Sequence, residues 1–123
     1  MTTQELAREG EDAAAAYLAR NGYDVHTRNF HFGRNGEIDI VASKGEVTAF
    51  VEVKTRSHGA PEEALYSITP AKQKQLMRVA QGYMYVKNLG ELNCRFDVIV
   101  VIFRAGKPHI VHYENAFTAM HTS

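Results

Sequence analysis

The sequence predicts one α/β domain in which a mixed β-sheet is flanked by helices. Two segments combine helical periodicity with helix start signals, and five shorter segments have the apolar patterns of strands. Their order along the 123 residues is α-β-β-β-α-β-β. No internal repeat or linker-like stretch divides the chain, and its length suits a single core. We therefore expect residues 1–123 to form one domain.

The first predicted helix opens at a capping box, in which Thr2 precedes Glu5 by three residues. It extends to about Asn21-Gly22, where glycine suits a C-terminal cap. A short strand over residues 24–30 and a polar loop over residues 31–36 follow. The apolar stripe of the helix consists of Leu6, Ala13, Ala14, Tyr17 and Leu18.

The clearest hairpin has apolar and polar residues alternating on both arms. Gly45-Glu46 fits a two-residue type II′ turn, which pairs Lys44 with Val47 and places Asp39 directly opposite Glu52. A shift of one residue would mix aliphatic and charged side chains on one face, so the pattern fixes the register. The predicted aliphatic face consists of Ile38, Ile40, Ala42, Val47, Ala49, Val51 and Val53.

The second half begins with a predicted loop over residues 57–68. Thr69-Pro70 is a strong helix start, and the helix is expected to end near Asn88. Residues 95–103 are almost continuously apolar, which predicts a strand buried on both faces. Residues 109–113 form a last, edge strand. The inward stripe of the helix consists of Gln73, Leu76, Met77, Ala80, Tyr83 and Met84.

Composition limits the function classes without selecting one. The 14 basic residues balance the 14 acidic ones, whereas a nucleic-acid partner usually leaves a basic excess. The longest apolar run is too short to span a bilayer, so we expect no membrane association. The single cysteine, Cys94, excludes an internal disulfide and fits a reducing cytoplasm. Many basic residues nevertheless fall in the middle of the chain: Arg28, Arg34, Lys54, Arg56, Lys72, Lys74 and Arg78.

Four charged side chains are expected to meet on the other face of the hairpin. Residues two apart on a strand share a face, so Glu37 accompanies Asp39, and Glu52 accompanies Lys54. Opposed positions on antiparallel strands are roughly 4.5–5.5 Å apart at Cβ, which brings the two pairs together. Carboxylates this close repel, and a bound divalent cation removes the repulsion. Oxygen ligands favour Mg²⁺ or Mn²⁺, and the lysine would stabilise a phosphoryl transition state or orient the attacking water. The alternative is a solvated face that carries ordinary ion pairs.

These residues resemble a known motif. Glu37-Ile38-Asp39, followed by Glu52-Val53-Lys54, is similar to the D…(D/E)-x-K motif of nucleases. The whole chain resembles the YraN-like family of small bacterial proteins, which are related to archaeal Holliday junction resolvases. Further residues that carry this resemblance are Gly10-Glu11, Arg28-Asn29, Thr55-Arg56, Thr69-Pro70-Ala71-Lys72-Gln73 and Arg95-Phe96-Asp97-Val98.

The resemblance implies a restriction-endonuclease-like core. It assigns Asp39 and Glu52 as ligands of Mg²⁺ or Mn²⁺, Lys54 as the catalytic lysine, and the carbonyl of Val53 as a further metal ligand. In one departure, Ile38 stands where many nucleases of this superfamily carry proline. The carboxylate that follows is retained, so the departure concerns backbone stiffness more than chemistry.

Other residues carry both a functional and a structural interpretation. Glu11 is either a boundary residue of the first helix or a third carboxylate of the metal centre. Lys72 and Gln73 are placed to contact the nucleic-acid backbone from a helix N-terminus, or are ordinary surface and core-edge residues. Asp97 is more typical of a structural hydrogen-bonding role. Tyr83 and Tyr85 are more typical of packing than of base stacking. The candidates for gripping flanking phosphates are Arg56, Arg28 and Arg34.

Three functions remain open. The first is a metal-dependent DNA endonuclease, acting on junctions, flaps or single-stranded regions. The second is a DNA-binding or complex-forming module with this fold and little chemistry. The third is a nuclease acting on RNA. Symmetric cleavage of two strands would need two copies, so a homodimer is one expected arrangement.

Overall fold

The computed structural model describes residues 1–90 and 93–117. The described strands form one five-stranded sheet in the order β1-β2-β3-β4-β5, in which only the β3–β4 pair is parallel. The predicted mixed sheet, its flanking helices and the order of the predicted elements are confirmed. The elements are α1 (Thr3–Arg20), β1 (Asp24–His31), β2 (Glu37–Lys44), β3 (Val47–Arg56), α2 (Pro61–Tyr66), α3 (Pro70–Val86), β4 (Cys94–Arg104) and β5 (Lys107–Phe117).

Both long helices begin where their capping residues predict. The Thr2 hydroxyl accepts a hydrogen bond from the Glu5 amide at 3.1 Å, and the Glu5 carboxylate accepts one from the Thr2 amide at 3.0 Å. At the start of α3, the Thr69 hydroxyl accepts from the Lys72 amide at 3.2 Å. The α3 helix ends at Val86, slightly earlier than predicted.

The short helix α2 corrects the prediction that residues 57–68 form a loop. Pro61 occupies its first turn, and the Glu63 carboxylate accepts a hydrogen bond from the Ala60 amide at 3.0 Å. Six residues are too few for a helical period to appear in the sequence, although proline and glutamate at these positions are N-terminal signals. Ala64 and Ile68 are buried against β4.

The β2–β3 hairpin has the predicted register. Lys44 pairs with Val47, and the ladder continues to the pair of Ile40 with Val51. Gly45 has a φ of 60°, whereas Glu46 has no positive φ, as a type II′ turn requires. The regular ladder ends at Ile40–Val51, immediately before Asp39 and Glu52 would face each other.

Helices cover both faces of the central strands. Ala14 and Leu18 of α1 pack with Ile40 and Val51 on one face. Leu76 and Val79 of α3 pack on the other face, and α2 covers the adjoining part of β4. As predicted, β4 is buried on both faces, with Val98 to Val101 fully enclosed.

One hairpin residue departs from the predicted alternation. Ile38 was expected on the face of Ile40, but it packs with Phe50 in the cluster under α3. Asn29 of β1 has a φ of 55° between the pairs Arg28–Ile40 and Phe30–Ile38. This left-handed residue lies on β1, so the neighbouring strand departs from regular alternation at the same level of the sheet as Ile38.

A close helix–strand contact fixes α1 beside the end of β3. A Cβ atom added to Gly10 would lie 1.9 Å from the Thr55 Oγ1 atom. Glycine is therefore required for this approach, which places the next residue, Glu11, near the point where the hairpin ladder ends. Across the part of the chain that the structure describes, the helices lack the length and apolar character needed to cross a membrane.

Candidate active site

Asp39 lies where β2 and β3 diverge. Its Oδ2 atom accepts a hydrogen bond from the backbone amide of Val53 at 2.8 Å. In a continued ladder this amide would bond to the backbone of β2, so a side chain replaces a main-chain acceptor at this point. The carboxylate of Asp39 is thereby held in the gap between the two strands.

Burial and neighbouring acids raise the pKa of the Asp39 carboxylate. Loss of solvent is the largest influence that raises the pKa of Asp39, to about 7, and the negative charge of Glu52 is the next. The amide of Val53 acts in the opposite direction, and Glu37 contributes a smaller repulsion. Asp39, Glu52 and Glu37 were expected to converge. They lie close enough that the charges of Glu52 and Glu37 raise the pKa of Asp39.

Two lysines approach a single oxygen atom of Glu52. The Lys54 ammonium lies 3.5 Å from the Oε2 atom, and the Lys72 ammonium lies 4.0 Å from the same atom. Glu52 is only 7% exposed, so these ion pairs are poorly screened by solvent. Lys54 comes from the same strand, whereas Lys72 comes from the first turn of α3. The structure therefore adds a second cation to the predicted acid–lysine set.

The backbone of Val53 faces the same gap. The N–H and C=O groups of one residue project from the same edge of a strand. Because the Val53 amide points to Asp39, its carbonyl also projects toward β2 beyond the last ladder pair. This orientation is the one that the predicted metal-ligand role of the carbonyl needs.

Glu11 reaches the site from α1, held by two residues of β1. Its Oε1 atom accepts hydrogen bonds from the Arg28 Nε at 3.1 Å and the Asn29 Nδ2 at 2.9 Å. Burial is the largest influence on its pKa and raises it; the charge of Asp39 adds to the rise, and Arg28 opposes it. Glu11 is therefore close enough to Asp39 to feel its charge, while its oxygen is occupied by β1.

Glu37 stands at the margin of the centre. Its Oε2 atom lies 3.1 Å from the His31 Nε2, and 40% of its side chain is exposed. Because the Glu37 carboxylate contacts His31 on β1, it does not share the position of Asp39 between β2 and β3. We accordingly treat Glu37 as a charge near the centre that influences Asp39.

The residues that were predicted to contact nucleic acid differ in the partners that they have within the protein. Arg28 pairs with Asp12 at 2.6 Å as well as with Glu11, so its guanidinium is committed to α1. The Gln73 amide donates to the Ile68 carbonyl at 3.3 Å, which links α3 to the preceding segment. Arg56 is half-buried, and its Nη1 atom donates to the Thr55 carbonyl. Arg34 is exposed in the β1–β2 loop.

The donor set fits a hard divalent cation that is only partly enclosed by protein. Within residues 1–90 and 93–117, no group of three or more His, Cys, Asp or Glu side chains is arranged to hold a metal ion. Asp39, Glu52 and the Val53 carbonyl instead offer oxygen atoms from two strands. Mg²⁺ commonly binds through one or two carboxylates and keeps several waters, which such an open site permits.

For two residues at this centre the sequence predicted no role, although both belong to segments that resemble the family. Gly10 permits the contact of α1 with Thr55, and Asn29 orients Glu11. Their available signals were a glycine inside a helical segment and an asparagine inside a strand, where both residue types are unfavourable. Only the tertiary contacts show what each residue does.

Comparisons with known proteins place the chain in a family. The profile of "Uncharacterised protein family UPF0102" matches residues 10–101. A UPF0102 protein of Chlorobium phaeobacteroides is 41% identical, covering 93% of this chain and 94% of its own length. One from Syntrophotalea carbinolica is 45% identical, covering 95% and 96%, and one from Geobacter sulfurreducens is 45% identical, covering 91% and 88%.

A search of solved structures finds a more distant likeness. The structure of Pyrococcus furiosus SfsA in complex with Ca²⁺ matches with a TM-score of 0.36 and 11% identity. The match covers 91% of this chain and 63% of that one. A likeness of this size carries no functional information. The family match and the relatives above, in contrast, cover most of the chain, and on that basis this protein belongs to the UPF0102 family, the YraN-like family that its motifs resemble.

Proposed function

We propose that this protein is a Mg²⁺- or Mn²⁺-dependent nuclease that hydrolyses phosphodiester bonds in DNA. The observation that carries the proposal is the unusual state of Asp39, a carboxylate crowded by other acids in a gap that has oxygen donors and two adjacent lysines. Perturbed acids in such surroundings are typical of catalytic centres. The family match is compatible with this activity but does not name it.

Asp39, Glu52 and the carbonyl of Val53 are the residues that would hold the cation. The cation would supply Lewis-acid stabilisation of the phosphoryl group and a water of lowered pKa. Asp39 is fixed for this task by the Val53 amide, so little reorganisation is needed when it loses its proton. The Oε2 atom of Glu52 lies 3.5 Å from the Lys54 ammonium and 4.0 Å from the Lys72 ammonium.

The lysines contribute the positive charge that a phosphate needs. Lys54 lies on the same strand as Glu52 and is placed to stabilise negative charge on the attacked phosphate, or to orient the attacking water. Lys72 approaches from the N-terminus of α3, where helix amides also favour an anion. With a cation on Glu52, the Lys54 and Lys72 ammonium groups would be available to contact the phosphate oxygens.

Cleavage assays with single-stranded, branched and duplex DNA, with and without Mn²⁺, test the proposal. Asp39→Asn keeps an acceptor for the Val53 amide but removes a charge, so the cleavage rate should fall about 100-fold or more while the fold persists. Glu46→Gln, an exposed acid in the turn of the same hairpin, is the matched control and should leave the rate unchanged. Absence of cleavage by the wild-type protein on every substrate would contradict the proposal. Equal cleavage by Asp39→Asn would contradict it too.

A second candidate is a DNA-binding module with this fold and little chemistry. The specific observation in its favour is that Lys54 and Lys72 both contact Glu52 and balance its charge. Calorimetry distinguishes the two functions, because the binding module should take up no Mn²⁺. Its DNA affinity should also be unaffected by Glu52→Gln, whereas that substitution should abolish cleavage by a nuclease.

A further inference from the structure

A groove lies between the β1–β2 loop and the exposed side of α3, away from the acidic centre. Its volume is about 320 Å³, at the lower end of the range for small-ligand sites. A Cβ atom on Gly82 would lie 2.3 Å from the Phe32 ring, so only glycine lets this ring lie against the helix. Its lining residues are Phe32, Asn35, Arg78, Gln81, Gly82 and Tyr85.

The helix side of the groove carries an exposed stripe of unusual composition. Lys74, Arg78, Gln81 and Tyr85 are spaced by four, three and four residues, which places them on one face of α3, and all four are exposed. Tyr85 is 82% exposed, although the sequence favoured a packing role for it. The packing role predicted for Tyr83 is confirmed, since Tyr83 is only 5% exposed.

The chemistry of this surface matches a single nucleic-acid strand. An exposed tyrosine ring offers a stacking surface to any unpaired base, and a neighbouring guanidinium contacts phosphate or stacks on a base. The side chains of Asn35 and Gln81 add hydrogen-bonding groups for base edges. In a duplex the faces of the bases are covered by their neighbours, so an aromatic platform discriminates in favour of unpaired nucleotides.

The groove is connected to the proposed active centre by one helix. Lys72, which contacts Glu52, lies in the first turn of the same helix, although its side chain projects from a different face of α3 from those of Arg78 and Tyr85. At the rise of an α-helix, Arg78 lies about 9 Å and Tyr85 about 20 Å along the axis from Lys72. These lengths correspond to a few nucleotides of one strand, at about 3.4 Å each when stacked.

From this placement we propose that the groove binds an unpaired nucleotide a few positions from the bond that is cut. The substrate class is then DNA with a single-stranded region beside the cleavage point. Tyr85 stacks on the base, and Arg78 contacts its phosphate. The inference rests on the proposed function for the identity of the ligand, but it concerns binding that needs no chemistry.

The test is fluorescence anisotropy with a labelled single-stranded oligonucleotide and a blunt duplex of the same sequence, both in EDTA. Tyr85→Ala should weaken single-strand binding about tenfold, and Tyr85→Phe should retain it, because stacking needs the ring and not the hydroxyl. Duplex affinity should be unchanged in both variants. Tyr66→Ala is the matched control, since Tyr66 is 78% exposed but lies on α2.

Further outcomes separate the possible explanations. Arg78→Ala should reduce the slope of log affinity against log salt for the single strand by about 0.7, the value for one lost phosphate contact. Single-strand affinity equal to wild type in Tyr85→Ala, or an equal loss for duplex, would overturn the proposal. So would a change of oligomeric mass in Tyr85→Ala without a change in DNA affinity, because the groove would then join copies of the chain. Binding without cleavage by the wild-type protein would defeat the proposed function and leave this inference standing.

Discussion

Two acids on the strands that flank β3, the buried Asp97 and the half-buried Asp39, have opposite electrostatic surroundings. Asp97 of β4 is fully buried, and its carboxylate accepts hydrogen bonds from the Arg95 Nε at 2.9 Å and the Asn115 amide at 3.0 Å. The His112 Nε2 lies 2.7 Å from its second oxygen. Burial alone would raise the pKa of Asp97, but His112 and Arg95 outweigh that influence and lower it. For Asp39, burial and the charge of Glu52 raise the pKa to about 7.

The difference shows that burial of an acid does not by itself indicate function. Asp97 is surrounded by donors and cations from β4 and β5, and His112 extends the network to the Tyr17 hydroxyl on α1 at 3.1 Å. Such a satisfied carboxylate joins elements of the fold. Asp39 has one backbone donor and acidic neighbours, and the two lysines of the site contact Glu52.

The largest expected effect comes from removing each acid in turn. Asp97→Ala should lower the free energy of unfolding by about 3–5 kcal/mol, because it removes the buried acceptor shared by Arg95, His112 and the Asn115 amide. Asp39→Asn, which removes a repelled charge and keeps an acceptor for the Val53 amide, should not lower the free energy of unfolding at pH 7. Urea denaturation followed by circular dichroism measures both. Equal losses would show that the two acids have the same structural role.

The pH dependence of stability should have opposite signs for the two acids in metal-free buffer. In the folded protein the pKa of Asp39 is raised to about 7, above the ordinary aspartate value of about 3.9, so the unfolded chain loses this proton first. Stability should therefore fall as the pH rises from about 4 to 7, and Asp39→Asn should flatten that decline. Asp97 has a lowered pKa, so its contribution is present above its unfolded pKa of about 3.9 and is lost as the pH falls below it. Thermal unfolding across this pH range measures both slopes.

Addition of Mn²⁺ should affect only the Asp39 centre. At 100 times its dissociation constant, a bound cation stabilises the folded state by about 2.7 kcal/mol, which appears as a higher unfolding temperature. The wild-type protein should show this rise, and Asp39→Asn should not. A variant at the other network, His112→Gln, should respond to Mn²⁺ as the wild type does. A rise of the same size in Asp39→Asn would exclude Asp39 as a ligand.

The smallest predicted effect concerns the packing that holds α1 beside the acidic centre. Gly10→Ala should lower stability by about 2 kcal/mol, because its Cβ atom would meet Thr55. The sign is informative, since alanine normally stabilises a helix by about 1 kcal/mol relative to glycine. A double-mutant cycle with Thr55→Gly should show favourable coupling. A more stable Gly10→Ala protein would show that α1 can move away from β3.

Local signals predicted the elements that have strong capping or turn residues. The Thr2 and Thr69 caps placed both long helices, and Gly45 with the alternation placed the hairpin register. These features depend on residues only a few positions apart, so they can be recognised in a single sequence. The convergence of Asp39 with Glu52 was predicted for the same reason.

Long-range contacts could not be predicted from such local signals. The partners of Asp97 include His112, fifteen residues away, and no pattern in the sequence joins them. The approach of Lys72 to Glu52 depends on how α3 crosses the sheet. The expected direct pairing of Asp39 with Glu52 assumed an uninterrupted ladder. The ladder instead ends one pair earlier, and the Asp39 side chain accepts a hydrogen bond from the Val53 amide.

That last hydrogen bond has an evolutionary consequence. Because Asp39 replaces a main-chain acceptor, position 39 must supply an oxygen atom to the Val53 amide whether or not the protein performs any chemistry. Asparagine meets this need and alanine does not. If the proposed nuclease activity exists, a lineage could therefore lose it through asparagine at position 39 and keep an intact sheet.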